Sequence, residues 1–323
     1  MNKSITQNNQ DDNQISKSIR RFFTRFHLSS ALKAANAYKK KGTSATLIFQ
    51  YLFLLIFSNR SMYMNLLIGK DTPDFAKDTV YRFMKMLQIN WIRFTTILSS
   101  RIIKDAIVPL DSADRANVLI IDDSMFERNR SKKVELLAKA YDHAKHCYKF
   151  GFRMLTLGWS DGSTFLPVNS ILLSTENKKN RVNDAKEVDK RTVGYKRRML
   201  AVEKGTIAML ELLKSAKKAD IPAKYVLFDS WFSSPSSLHS VKEIGYDVIA
   251  MVKKTPKMFF RYHDEDMPLT TIYNKNKKRR GRSRYLLSVK VDVVKDGIII
   301  PAKWSMSVTE TRETNTSASF QQT

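Results

Sequence analysis

Two short apolar runs that each end on an acidic residue constrain this chain more than any other feature. Val118 to Ser124 reads VLIIDDS, and Tyr225 to Pro235 reads YVLFDSWFSSP. In each, an apolar stretch without polar alternation gives way to Asp and then to Ser and other turn formers. That is the pattern of a buried strand delivering a carboxylate to its C-terminal end. Two such strands can aim two acids at one point. Carboxylates held a few ångströms apart repel unless a cation or a shared proton lies between them, so the pair favours a hard divalent ion, Mg2+ or Mn2+. The chemistry that suits such a pair is phosphoryl transfer on a nucleic acid by a two-ion route.

The charge points the same way. Lys+Arg 56 against Asp+Glu 31 leave a formal charge of +25 on 323 residues, a surplus that repels itself unless a polyanion covers it. With 43% hydrophobic residues the chain can bury one large core or two ordinary ones. The single Cys147 excludes an internal disulfide framework and suits a reducing cytoplasm, where a basic protein of this kind would associate with the nucleoid. His143, His146 and Cys147 crowd together without the second ligand pair of a structural zinc site. No Gly-rich phosphate loop is present, which argues against ATP use.

Along the chain, residues 1–15 are polar and Asn/Gln-rich and read as a mobile tail without a signal core. Residues 16–110 read as a helical module. Ile19, Phe22, Phe23 and Phe26 recur at helical spacing, Thr46 to Phe57 is a dozen apolar residues suited to a buried core helix rather than a membrane span, and Val80, Phe83, Met84, Leu87 and Trp91 share a face. The module is either a DNA reader or helices packed on each other with solvated Lys and Arg outside. From Asn117 the pattern turns to strands: the first Asp run, a hairpin over 153–173 turning at Ser160-Asp161-Gly162, a polar loop over 174–196, one amphipathic helix from Arg197 to Lys218, the second Asp run, a helix over 236–244 and a strand over 247–252. The order predicts an α/β sandwich on a mixed sheet. Beyond Lys253, Thr270 to Tyr273, Tyr285 to Val294 and Gly297 to Ala302 read as strands around the basic run KNKKRRGRSR. Seven of its ten residues are cationic, and Lys277, Lys278, Arg279, Arg280, Arg282 and Arg284 are the candidate phosphate contacts, fixing affinity rather than sequence choice. Trp231 and Phe232 read as core aromatics beside a strand end.

The succession LIIDDSMFERNR, YDHAKHCYKFGFRMLTLGWSDGSTFLPV, DKRTVGYKRRM and YVLFDSWFSSP resembles the DDE-type insertion-sequence transposases of the group typified by insertion sequence 4, over most of residues 30 to 303. The resemblance implies an RNase H-like mixed sheet with flanking helices over 111–254, an all-helical N-terminal domain over 16–110 and a β-rich insertion over 255–303. It also implies Mg2+-dependent cleavage and strand transfer at an element's terminal inverted repeats, into target DNA, by a homodimer. The family's first acid is the Asp followed by a hydroxyl residue, which favours Asp123 over its neighbour Asp122; the two point to opposite faces of a strand, so only one can be a ligand. The second acid falls on Asp229, whose alternative role is to cap the turn SWFSSP.

The family's third acid, a Glu on a helix after the insertion, has no counterpart. Residues 304–323 read as an aberrant tail that packs nothing, and Glu310 and Glu313 lack the expected surroundings. Back-translated with suitable codons and read one base out of register, the tail from Lys303 gives a basic strand-loop-strand, which implies a frameshift. The expectation is then a weakened or inactive transposase; the alternatives are a noncatalytic DNA-binding remnant that competes with the intact enzyme and a Mg2+ nuclease without strand transfer.

Overall fold

A computed structural model of the chain describes residues 2–57, 61–64, 73–112, 115–142, 144–253, 255–276, 285–307 and 317–322. They fall into two compact units, Met1–Ile102 with Glu187–Met199, and Ile103–Lys186 with Leu200–Thr323.

The first unit is helical: α1 (Asn2–Arg25), α2 (Leu28–Ala34), α3 (Ala45–Phe57), α4 (Lys77–Met84) and α5 (Trp91–Ile102). The helix spacing in the sequence is explained by what it buries. Phe22 stacks on Phe53 at 5.9 Å, Phe49 meets Phe94 edge-on at 5.0 Å, and Ile48, Val80 and Phe83 are sealed from solvent among them. The polar stretch expected as a tail is instead helical from Asn2. Nothing in it stops a helix: residues 1–25 contain neither Gly nor Pro, and a turn nucleated by buried Ile19 and Phe23 propagates at little further cost. At the other end of α1, Arg101 Nη1 donates to the carbonyls of Phe26 and His27 at 3.0 and 2.7 Å, satisfying acceptors a helix terminus leaves open. The expected buried helix at α3 is only partly so. Ala45, Ile48 and Leu55 are buried, but Leu47, Ile56 and Phe57 are 55%, 71% and 54% exposed, because one stripe is all that neighbours within the unit cover. No described helix is long and apolar enough to cross a membrane.

The expected loop over 174–196 divides. Its second half and α6 (Val193–Leu200) bring Glu187–Met199 into the helical unit, where Gly194 N donates to Leu87 O at 2.7 Å. A Cβ at position 194 would lie 2.6 Å from Leu87 Cδ2 and 3.1 Å from Leu87 Cβ, so a larger residue would have to displace that side chain. The single helix expected over Arg197 to Lys218 is broken: α7 starts afresh at Gly205 and runs to Lys218. Between the helices Ala201 accepts from Ser174 N at 2.6 Å and packs with Leu136, Leu137 and Phe152, which ties that stretch to the sheet instead of a continuing helix.

The second unit holds one sheet, eleven-stranded among the described residues, in the order β2-β3-β1-β5-β6-β11-β10-β9-β7-β8 with β4 also paired to β3. The strands are β1 (Val118–Glu127), β2 (Ala138–Asp142), β3 (Cys147–Ser160), β4 (Phe165–Leu173), β5 (Tyr225–Phe228), β6 (Asp247–Met251), β7 (Phe259–Tyr262), β8 (Glu265–Pro268), β9 (Tyr285–Lys295), β10 (Ile298–Ser307) and β11 (Ser317–Gln322). β1 and β4 run antiparallel to β3, whereas β5 and β6 run parallel to β1, the mixed α/β arrangement the sequence predicts. The β3–β4 hairpin turns where expected. Asp161, 4% exposed, accepts from Ser163 N and Thr164 N at 2.8 and 2.6 Å, and these donors hold its carboxyl below the usual range. One sheet face is fully packed: Leu119, Ile121, Leu155, Leu157, Val226, Phe228, Val248 and Ala250 are at most 6% exposed. Met209 and Leu212 of α7 and Leu238 and Val241 of α8 (Pro235–Ile244) are buried as well; α7 lies against β3 and β4, and α8 against β6 and β9.

Two expectations fail beyond residue 253. Thr270 to Tyr273 lies not in a strand but in α9 (Leu269–Asn276), with Leu269 and Ile272 buried one helical turn apart. The terminal residues are also not idle. β10 runs unbroken through Lys303, Trp304 is 0% and Met306 1% exposed, and β11 pairs on one side with β10 and on the other with β6. Ala302, Trp304 and Met306 alternate with Lys303 and Ser305, which is strand periodicity. Removing a buried Trp side chain costs about 3–5 kcal/mol. Trp304→Ala should therefore lower the unfolding free energy by that amount, read in urea as a lower midpoint at unchanged m-value; an unchanged midpoint would restore the idle-tail reading.

Candidate active site

β1 and β5 pair in parallel from Val118↔Tyr225 to Ile121↔Phe228, and there β5 stops. Asp122 and Asp229 are the next residues past the last pair of the shared ladder. β1 does not stop with it, because it stays paired to β3 as far as Glu127↔Gly151. The result is a notch in the sheet, with β1 as one wall and the turn after β5 as the other. That turn is built by the sequence SWFSSP. Trp231 N donates to Asp229 Oδ1 at 2.9 Å, and Ser234, capping α8 ahead of Pro235, accepts from Ser237 N at 3.2 Å, the usual chemistry of a helix start. Asp229 thus does serve its turn, through one oxygen.

The two aspartates of β1 part company through strand alternation. Asp123 follows Leu119 and Ile121 on the helix-covered face, where Arg153 of β3 ion-pairs with it through Nε and Nη2. Asp122 lies on the other face, is exposed, and among the described residues makes no ion pair or hydrogen bond. Both open, with Asp229, into one cleft of about 530 Å³ whose walls include Tyr141, Asp142 and Arg153. The rim is cationic: Lys253 Nζ lies 4.4 Å and Arg153 Cζ 5.6 Å from the centroid of the Trp231 ring. The expectation of two core aromatics holds for Phe232, 1% exposed, and fails for Trp231, 51% exposed, because the turn places successive residues on opposite sides.

Other acids nearby are committed elsewhere. Asp142, 6% exposed, accepts from Ala144 N and Lys145 N at 3.0 and 3.1 Å. Glu127 binds Lys145 at 2.7 Å and Lys149 at 3.0 Å, and these two ammonium groups hold its carboxyl below the usual range. Among the described residues no three His, Cys, Asp or Glu side chains are grouped so as to hold one metal ion. His143 lies outside the described residues, as do Lys277, Lys278, Arg279, Arg280, Arg282, Arg284, Glu310 and Glu313. For a hard cation, Asp122 and the second oxygen of Asp229 are the suitable donors: carboxylate oxygens without a competing cation, opening to water that can fill the remaining positions. Arg153 and Lys253 had no signal in the sequence. Their place depends on the β1–β3 register and on the turn after β5, which no local pattern reports.

A family model described as DDE superfamily endonuclease matches residues 53–320. Among solved structures the chain is similar to the Drosophila P element transposase strand transfer complex, at 11% identity and a TM-score of 0.29, covering 81% of this chain. It spans 55% of that chain's length, and a likeness this distant assigns nothing to the present chain. No curated protein matches the sequence.

The separation of the two aspartates is measurable. Asp123→Ala and Arg153→Ala should be non-additive by about 1–3 kcal/mol in urea unfolding, as contacting partners are, whereas Asp122→Ala and Arg153→Ala should add to within about 0.5 kcal/mol. Coupling of Arg153 to Asp122 instead would reverse the assignment of faces.

Proposed function

Because the chain belongs to the DDE superfamily endonucleases, we propose that it is a DNA transposase, of the insertion-sequence 4 type, whose catalytic acids are Asp122 on β1 and Asp229 just after β5. The observation that carries this reading is the parallel register, in which Asp122 and Asp229 each follow the last pair of the β1–β5 ladder, Ile121↔Phe228, and both line one cleft. The strand succession β4-β3-β1-β5-β6, with three antiparallel strands followed by two parallel ones, supports an RNase H-like core. Asp123 was favoured by the sequence motif; its ion pair with Arg153 favours giving the ligand role to its neighbour.

In this reading Asp122 and Asp229 hold Mg2+ or Mn2+, which when bound supplies Lewis acidity toward the scissile phosphate and lowers the pKa of attacking water. The chain's own contribution is positioning. Trp231 N fixes the Asp229 carboxylate through one oxygen, leaving the other for the ion, and Lys253 places positive charge where a phosphodiester backbone would enter. The substrate is the element's terminal inverted repeats together with target DNA, taken by a homodimer in the cytoplasm. The resemblance calls for a third carboxylate. None joins the pair among the described residues; a remnant that binds DNA and competes with an intact enzyme is the second reading.

The test is a labelled element end incubated with the protein and Mg2+ or Mn2+. Strand joining supports the transposase; binding without cleavage supports the remnant; nicking indifferent to the end sequence supports a simple nuclease. Where cleavage occurs, Asp122→Ala and Asp229→Ala should each reduce it on the order of a hundredfold or more while sparing binding. Loss with Asp123→Ala and retention with Asp122→Ala would move the ligand to Asp123.

A further inference from the structure

The notch continues into a ridge that the acid pair does not use. β2 and the first half of β3 form a two-stranded extension in which Tyr141 faces Tyr148 and Lys139 faces Phe150 across the ladder. Tyr141 lines the acid cleft and meets Tyr148 edge-on at 5.1 Å. Tyr148 is 65% and Phe150 41% exposed. The cations there lie on rings rather than on carboxylates: Lys139 Nζ is 5.2 Å from the Tyr148 centroid and Arg128 Cζ is 4.3 Å from that of Phe126. Among the described residues neither Lys139 nor Arg128 forms a salt bridge, whereas Lys145 and Lys149 nearby are both ion-paired with Glu127.

Exposed rings interleaved with unneutralised cations, running outward from a cleft, match the face of an unpaired nucleic-acid strand: bases stack on rings and phosphates meet the cations. A duplex hides its base faces and would use only the cations. A second copy of this chain, itself carrying a formal net charge of +25, is less suited to cations on the ridge than a polyanion is. We propose that the β2–β3 ridge binds a single-stranded DNA segment leaving the acid cleft, such as the strand freed beside a cut. This rests on the DNA-cutting reading above and adds to it a binding surface with a preference for unpaired DNA.

The experiment is fluorescence anisotropy of the full chain with a labelled blunt duplex and with the same duplex carrying a short single-stranded tail, at fixed salt. The tailed DNA should bind about tenfold more tightly, since one stacked base contributes on that order. Tyr148→Ala should erase most of the preference, Tyr148→Phe should keep it, and Lys139→Gln should flatten the salt dependence for tailed DNA only. Because Tyr148 is largely exposed, an unchanged thermal melt is expected for both Tyr148 variants. Equal affinity for the two DNAs, or a preference that survives Tyr148→Ala, overturns the ridge while leaving the function reading intact. Binding to neither DNA overturns both. Loss of self-association in Tyr148→Ala with the tail preference unchanged makes the ridge a contact between copies and likewise overturns the proposal.

Discussion

Everything at the candidate site depends on two hydrogen-bond ladders on β1 that end at different places. The ladder to β5 closes at Ile121 and Phe228, while the ladder to β3 continues to Glu127. A strand paired on both sides is held rigidly. A strand paired on one side past a given residue is held but open, and a carboxylate at that residue is both positioned and solvated. Sheet register has a period of two, so a slip of one residue would exchange Asp122 for Asp123 and put Leu119 and Ile121 on the wrong face. Burial of those two side chains therefore fixes the register, and the register fixes which of the two acids shares their face.

The same buried face explains why residues so late in the chain matter to a site near its middle. The apolar layer begun by Leu119 and Ile121 passes through Val226 and Phe228 to Val248 and Ala250, and is taken up again by Ala302 and Trp304 on β10. β11 bridges β6 and β10, so the antiparallel half of the sheet is an extension of the parallel half. The helix pair α7 and α8 rests on this layer, with α8 reaching from β6 to β9. Because α8 starts at the turn that carries Asp229, packing over β9 is coupled through that helix to the position of the Asp229 carboxylate.

What the sequence revealed and what it hid divide along the range of the interactions involved. The strands carrying the acids were legible because an unbroken apolar run followed by Asp and turn formers is a local signal. The motif favoured Asp123, the Asp followed by Ser124, and what sets the two apart in the fold, the ion pair of Asp123 with Arg153 on β3, is not a local signal. Arg153 is one of many cations in a chain rich in them, and its role appears only when β3 lies along β1. At α6 and α7 the apolar spacing favoured one helix, but pairing of Ala201 with the end of β4 won over local propensity. The segment around Trp304 was legible and was misread: its strict alternation is strand periodicity, obscured by the Ser and Thr content around it. The cationic run after α9 lies outside the described residues and still has only its composition to speak for it.

The measurement that bears most directly on this account is the position of a bound divalent ion. Crystals of the chain grown with Mn2+ would give an anomalous difference peak at the manganese, independent of how the side chains are placed. A peak touching the carboxylates of Asp122 and Asp229, with Asp123 still on Arg153, is the predicted result. A peak on Asp123 away from Asp229, with Arg153 displaced, would contradict the claim that the β1–β5 register selects the catalytic pair.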